Sequence, residues 1–130
     1  MAVEEEILRG NRIIAIVGLS NNPERPSYQV GSYLKEKGYT IIPVNPNEKV
    51  ILSETSYPDL SSIPVHVDVV DIFRRSEDVP PIVAEAVKIG AAAVWMQEGV
   101  INEEAAASAR KAGLKVVMDK CMKKEHAKLS

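Results

Sequence analysis

A single cysteine, Cys121, stands among the 130 residues of this chain. A lone thiol excludes an internal disulfide and a cysteine-based zinc site. Long apolar runs are missing as well, and nothing approaches the ~20 residues of a membrane span. An excess of one charge is also absent. The net charge of −2 gives nucleic acid or an anionic membrane no reason to bind. There are two histidines, His66 and His126, and neither belongs to a Ser/His/Asp order or a metal-ligand spacing, so no catalytic constellation is visible. Glu4, Glu5 and Glu6 carry the wrong sign for the start of a secretory signal peptide. Repeats, low-complexity tracts and linkers are lacking. Together these absences predict one cytoplasmic domain over residues 1–130, a length sufficient to bury a real core.

What the chain does contain is alternation. Five apolar runs rich in β-branched residues occur at Arg12–Gly18, Tyr39–Pro46, Val67–Phe73, Ala91–Gln97 and Leu114–Asp119. They are near-continuous, which suits strands covered on both faces of a parallel sheet. Between them lie helical patterns at Ser27–Lys37 and Pro80–Ile89, each stopped by a glycine. A third is "EEAAASARKA", with Asn102 as N-cap, acids in its first turn and bases in its last. The stretch "KCMKKEHAKL" reads as a short closing helix that Asp119 could cap. The expected fold is therefore α/β, a Rossmann-like doubly wound sandwich with a mostly parallel sheet of about five strands. Residues 48–64 fit neither pattern and predict an irregular excursion.

In such sheets, ligands bind beyond the carboxyl ends of the strands, where strand order reverses. The loop after the first strand, "VGLSNNPERPS", has one glycine where a dinucleotide fingerprint has three. It offers a tight turn at Gly18, hydroxyls at Ser20 and Ser27, and the amide end of a helix, which together favour an anion. Gly31, one turn into that helix, would allow a close approach to the sheet. The second strand ends "PVNPN", without the acid that accepts hydrogen bonds from the ribose of NAD. Arg25, Lys49, Arg74 and Arg75 fall on carboxyl-end loops, as a ligand with several phosphates would require. Glu24, Glu48, Glu77 and Glu98 lie on the same loops, so the positive excess is slight.

The motifs "GLS..P.RPS", "PVNP", "VDVVDIFRR", "VWMQEG" and "DKCMKKEH" together resemble the stand-alone CoA-binding domain proteins. These are similar to the CoA-binding domain of the succinyl-CoA synthetase alpha subunit. The resemblance runs from about Ile14 to Leu129 and implies a Rossmann-like domain that binds coenzyme A or an acyl-CoA. Carried over residue by residue, it implies a phosphate loop of Gly18, Ser20, Pro23, Arg25 and Ser27. Val44, Asn45 and Pro46 would lie along the ligand, with Phe73, Arg74 and Arg75 facing its adenosine end. Family members often have a glycine shortly after "PVNP" where this chain has Ser53, which leaves the path of the excursion open.

Three functional readings follow. One is a binding module for CoA without catalysis of its own. Another is an NAD(P)-binding oxidoreductase domain on the same sheet, disfavoured by the missing acid. The third is a CoA-binding subunit of an acyl-CoA ligase complex, whose protein partner the chain does not reveal. A ligase of that type needs a phosphorylatable histidine in a further domain. His66 is expected at the end of the sheet opposite the site, and His126 reads as a packing or capping group. Trp95 and Met96 read as core. Cys121, beside Lys120, Lys123 and Lys124, reads as a half-buried structural thiol. The sharper alternative is a mixed disulfide with the thiol of CoA.

Overall fold

The computed structural model describes residues 2–129. All five apolar runs become strands: β1 (Ile13–Val17), β2 (Thr40–Val44), β5 (Val69–Ile72), β6 (Ala93–Met96) and β7 (Lys115–Val117). They form one parallel sheet in the order β2-β1-β5-β6-β7. The helical patterns become α2 (Pro26–Glu36), α3 (Val79–Lys88), α4 (Glu103–Lys111) and α5 (Met122–Ala127). The strands are apolar along their length because successive side chains enter two cores. Ala15, Val17, Val70, Ile72, Val94 and Met96 pack with Val79 and Val83 of α3 and Ala105 and Ala109 of α4. Ile14, Ile16, Val69 and Trp95 pack with Val30 and Leu34 of α2 and Met122 of α5.

One helix was not anticipated. α1 (Val3–Gly10) buries Ile7 and Leu8 against the second core, with three glutamates in its first turn and Arg9 in its last. The acids read above only for their charge are placed where the helix dipole favours them.

The excursion at residues 48–64 resolves into a small hairpin, β3 (Val50–Ile51) and β4 (Glu54–Thr55), followed by a 3-10 turn at Leu60–Ser62. Between these, Tyr57 makes one parallel bridge to Val44, outside β2. The third strand of a Rossmann half is thus reduced to a single residue, held by Tyr57 N–H to Pro43 O and Asn45 N–H to Tyr57 O. The hairpin turn places Leu52 and Ser53 at φ 55° and 63°, the left-handed conformation that type I′ turns demand and glycine adopts freely.

Two expected caps had different outcomes. Asn102 Oδ1 accepts from Ala105 N–H at 2.9 Å, as its position predicts. Asp119 does not cap α5. That helix begins after Cys121 with no side-chain cap, and Asp119, at φ 62°, takes the Gly99 amide at 2.7 Å. A left-handed residue two positions ahead of the cap points its carboxylate back to the β6 loop.

From β1 the chain passes to β2 on one side and returns to β5 on the other. Strand order therefore reverses between β1 and β5, and the crevice opens there.

Candidate functional site

The crevice is built on a close backbone crossing. β1 ends at Val17, and the amide of the next residue, Gly18, donates to Val44 O at 2.9 Å, while the Phe73 amide donates to Val17 O at 2.9 Å. Gly18 has φ +86°, and a Cβ there would sit 2.2 Å from the Phe73 carbonyl oxygen. Only glycine fits between the two loops. Gly31 makes room chiefly for the hairpin turn and the first loop, a Cβ there lying 3.1 Å from Leu52 and 3.3 Å from Leu19, while Ile16 of the sheet stands at an ordinary 3.5 Å.

The first loop is folded largely by its own side chains. Ser20 N–H donates to Ser27 Oγ at 2.9 Å, and Asn22 N–H donates to Ser20 Oγ at 3.0 Å. Ser27 is buried, so its hydroxyl braces the loop. Arg25 is the exposed N-cap residue of α2 and Pro26 is its first helical residue. Among the described residues the amides of Ser27 and Tyr28 have no protein acceptor, as the first turn of a helix allows.

Asn45 joins the first loop to the second. Its Nδ2 donates to Leu19 O at 3.0 Å, and its Oδ1 accepts from Asn47 N–H at 2.9 Å. Both ends of the amide are therefore committed inside the protein. An acid at this position would have no such strut to offer.

Beyond these loops lies a cleft of about 570 Å³. Of the residues singled out from the sequence, Gly18, Ser20, Val44, Asn45, Pro46, Phe73 and Arg74 line it. Pro23, Arg25 and Ser27 lie outside its lining, toward the N-terminus of α2, and Arg75 turns into a neighbouring cleft of about 420 Å³. The two clefts share Phe73, Arg74 and Asp78, and the second extends past Gln97, Glu98 and Val100. They form one track along the carboxyl ends of β2, β1, β5 and β6. Cys121 is half-buried at the start of α5 and lines neither cleft. Its flanking Lys120 and Lys124 pair with Glu4 and Glu98. His66 is exposed beside Asp68, ahead of β5 and so at the opposite end of the sheet, as expected.

The far wall of the cleft is not legible in the sequence. It comprises Pro58, Asp59 and Leu60 from the excursion and Pro81, Ile82 and Glu85 from α3. Glu85 accepts from the Leu60 and Ser61 amides and from Ser61 Oγ, so it bolts α3 to the 3-10 turn. Asp59 caps that turn through Ser62. Arg74 is the single basic residue among the lining residues, against Asp59, Glu77, Asp78 and Glu85. Arg75 holds Asp78 at 3.1 and 3.3 Å, and Arg74 lies 3.9 Å away. The hydrogen bond from Arg75 keeps the Asp78 carboxyl below its ordinary range, and the nearby charges of both arginines add to this. The two arginines share one counterion, which an incoming phosphate would have to displace.

Under the second cleft sits a feature the sequence hides in an apolar run. Asp71 is fully buried in β5, and Gln97 Nε2 donates to its Oδ1 at 2.6 Å. Its Oδ2 has no partner. Burial raises its pKa to about 7, against the opposing hydrogen bonds from Gln97 and the Ile72 amide. Among the described residues no group of three His, Cys, Asp or Glu is arranged to hold a metal ion.

Comparison with known proteins places this geometry. The family model described as CoA binding domain matches residues 12–127. An uncharacterized protein of Bacillus subtilis, YneT, is 40% identical over 123 residues, covering 95% of this chain and 91% of its own. The alpha subunit of an ADP-forming acetate–CoA ligase II from Pyrococcus furiosus is 29% identical, and this chain spans 27% of it. A hypothetical protein from Pyrococcus horikoshii superposes with a TM-score of 0.95 at 39% identity, over 99% of this chain and 92% of its own. A dinucleotide-forming acetyl-coenzyme A synthetase 1 from Ca. Korarchaeum cryptofilum, without ligand, gives 0.75 at 25% identity over 85% of this chain and 26% of its own. The chain belongs to the CoA-binding domain family and is related to the CoA-binding portion of acyl-CoA ligases.

Proposed function

We propose that this member of the CoA-binding domain family binds coenzyme A or an acyl-CoA along the carboxyl edge of its sheet. The observation that carries the reading is the crossing of Gly18 and Phe73, which opens a continuous track at the point of strand reversal. The free amides at the start of α2, with Ser20 and Arg25 nearby, suit the pyrophosphate. The adenosine end occupies the cleft beside Val44–Pro46 and Phe73, where Arg74 and Arg75 exchange Asp78 for the 3′-phosphate. The pantetheine arm follows the second cleft. An NAD-type ligand is disfavoured because Asn45 has no carboxylate to accept from both hydroxyls of a ribose diol, and its amide joins the two loops.

Calorimetry with CoA, NAD and NADP tests the reading. CoA should bind at least about tenfold tighter than NAD, a difference of ~1.4 kcal/mol. Arg74→Ala should weaken CoA by ~1.5–3 kcal/mol, with a smaller loss for dephospho-CoA. Equal or tighter NAD binding would refute it. A second reading, a subunit beside a separate ligase partner, is favoured by the similarity to part of the acetate–CoA ligase alpha subunit. Affinity purification from the native cell tests that reading, and recovery of the protein without a ligase chain speaks against it.

A further inference from the structure

At the end of the sheet opposite the cleft, the entries to β1 and β2 and the last turn of α5 enclose a pocket of about 310 Å³. Arg9, Arg12, Lys37, Tyr39 and His126 line it with Leu8 and Leu129, and among the described residues no carboxylate does. Glu5 pairs with Arg9 at 2.7 Å. Arg12 and Lys37 have no carboxylate within 4.0 Å among the described residues. They rest instead on aromatic faces, Arg12 5.4 Å from the centre of Tyr39 and Lys37 5.4 Å from that of Tyr33. Lys123 lies 5.6 Å from the same Tyr33 ring.

The imidazole is held in place. His126 Nδ1 lies 2.8 Å from the Tyr33 hydroxyl, and the ring packs edge-on against both Tyr33 and Tyr39. Tyr39 is itself anchored, its hydroxyl donating to Leu8 O at 2.6 Å. The Tyr33 hydrogen bond occupies Nδ1, and Nε2 has no protein partner among the described residues. Two guanidiniums, an ammonium and an imidazole thus line one concavity, beside the aromatic rings of Tyr33 and Tyr39. Nothing in the proposed CoA site uses them.

We propose that this pocket is a second anion-binding site, taking a phosphate dianion either free or as the monoester of a small molecule. Guanidinium groups match phosphate oxygens in a bidentate fork, and the ammonium adds a point charge. Cationic side chains brought together with so few counterions repel one another until an anion arrives. His126 records that repulsion: burial first, then Lys37, Arg12 and Arg9, hold its pKa below the usual histidine value. By strand rise of ~3.3 Å per residue the site lies on the order of 16 Å from the cleft, so the two can be loaded independently.

The test is an NMR titration of the His126 ring with inorganic phosphate and, separately, ribose 5-phosphate, against sodium chloride at matched ionic strength. Both phosphates should give saturable shifts and raise the histidine pKa by about one unit. Tighter binding of the sugar phosphate identifies a monoester, and equal binding identifies the free ion. The double variant Arg12→Gln, Lys37→Gln alters exposed side chains and should weaken phosphate about tenfold while leaving CoA binding as in the parent. Shifts that do not saturate, an equal response to chloride, or an unchanged double variant would overturn the proposal. So would saturation by an acidic peptide with no response to phosphate. Because CoA is measured in the same samples, failure here is distinguishable from failure of the proposed CoA site.

Discussion

Replacing Asp71 with asparagine should make the protein more stable near neutral pH and leave it little changed in acid. The native carboxyl is fully buried, with Oδ1 taken by Gln97 and Oδ2 unpaired, and its pKa rises from an ordinary 3.8 to about 7. Between those values the unfolded chain has lost the proton and the folded one keeps it. The native state therefore binds more protons, and stability falls as pH rises. The stability is fully present below about pH 4 and is lost progressively as pH climbs through about 7. At ~1.4 kcal/mol per pH unit, the loss across the whole window is about 4 kcal/mol. Asparagine keeps an oxygen for Gln97 and places an uncharged NH2 where the protonated Oδ2 lies. Urea unfolding of both proteins from about pH 4.5 to pH 6.5 should show the variant gaining about 3 kcal/mol relative to the parent, with every other titrating group cancelling in the difference. A difference that stays flat, or moves the other way, would refute the claim that Asp71 is buried in its neutral form.

Gly18→Ala forces a Cβ against the Phe73 carbonyl at φ +86°. It should cost ~2 kcal/mol or more in thermal or urea unfolding and abolish CoA binding, the parent loop being irreplaceable at that crossing. Asp78→Asn releases Arg74 and Arg75 from their shared counterion. CoA should then bind a few-fold tighter in calorimetry at moderate salt, a small gain because the pair is solvent-screened; weaker binding would show that Asp78 positions the arginines instead of competing with the ligand. Ser53→Gly relieves a left-handed residue in the exposed hairpin turn. It should stabilise the protein by ~0.5–1 kcal/mol, read as a rise in the unfolding midpoint.

Local chemistry was enough to read the strands of the main sheet and four of the helices. Continuous apolar runs mark strands buried on both faces, and Asn102 marks the start of α4, because pattern and capping act over a few residues. Gly18 was recognisable as the turn, and the absence of an acid after β2 as a mark against NAD, since both rest on residue type at one loop. The fold's remaining decisions involve residues far apart in the chain. The helix α1 is short and charged, and it forms because Ile7 and Leu8 find a core made by α5 and the distant strands. Arg74 and Arg75 both follow β5, yet Arg74 lines the first cleft while Arg75 turns to Asp78. Glu85 became a bolt only when the excursion folded back onto α3. Asp71 looks like one more strand position until β1 and β6 close over it and remove water. The basic pocket joins residues 9, 12, 37 and 126. Charge and burial at such places depend on what the fold brings within a few ångströms, and periodicity along the chain carries no trace of that distance.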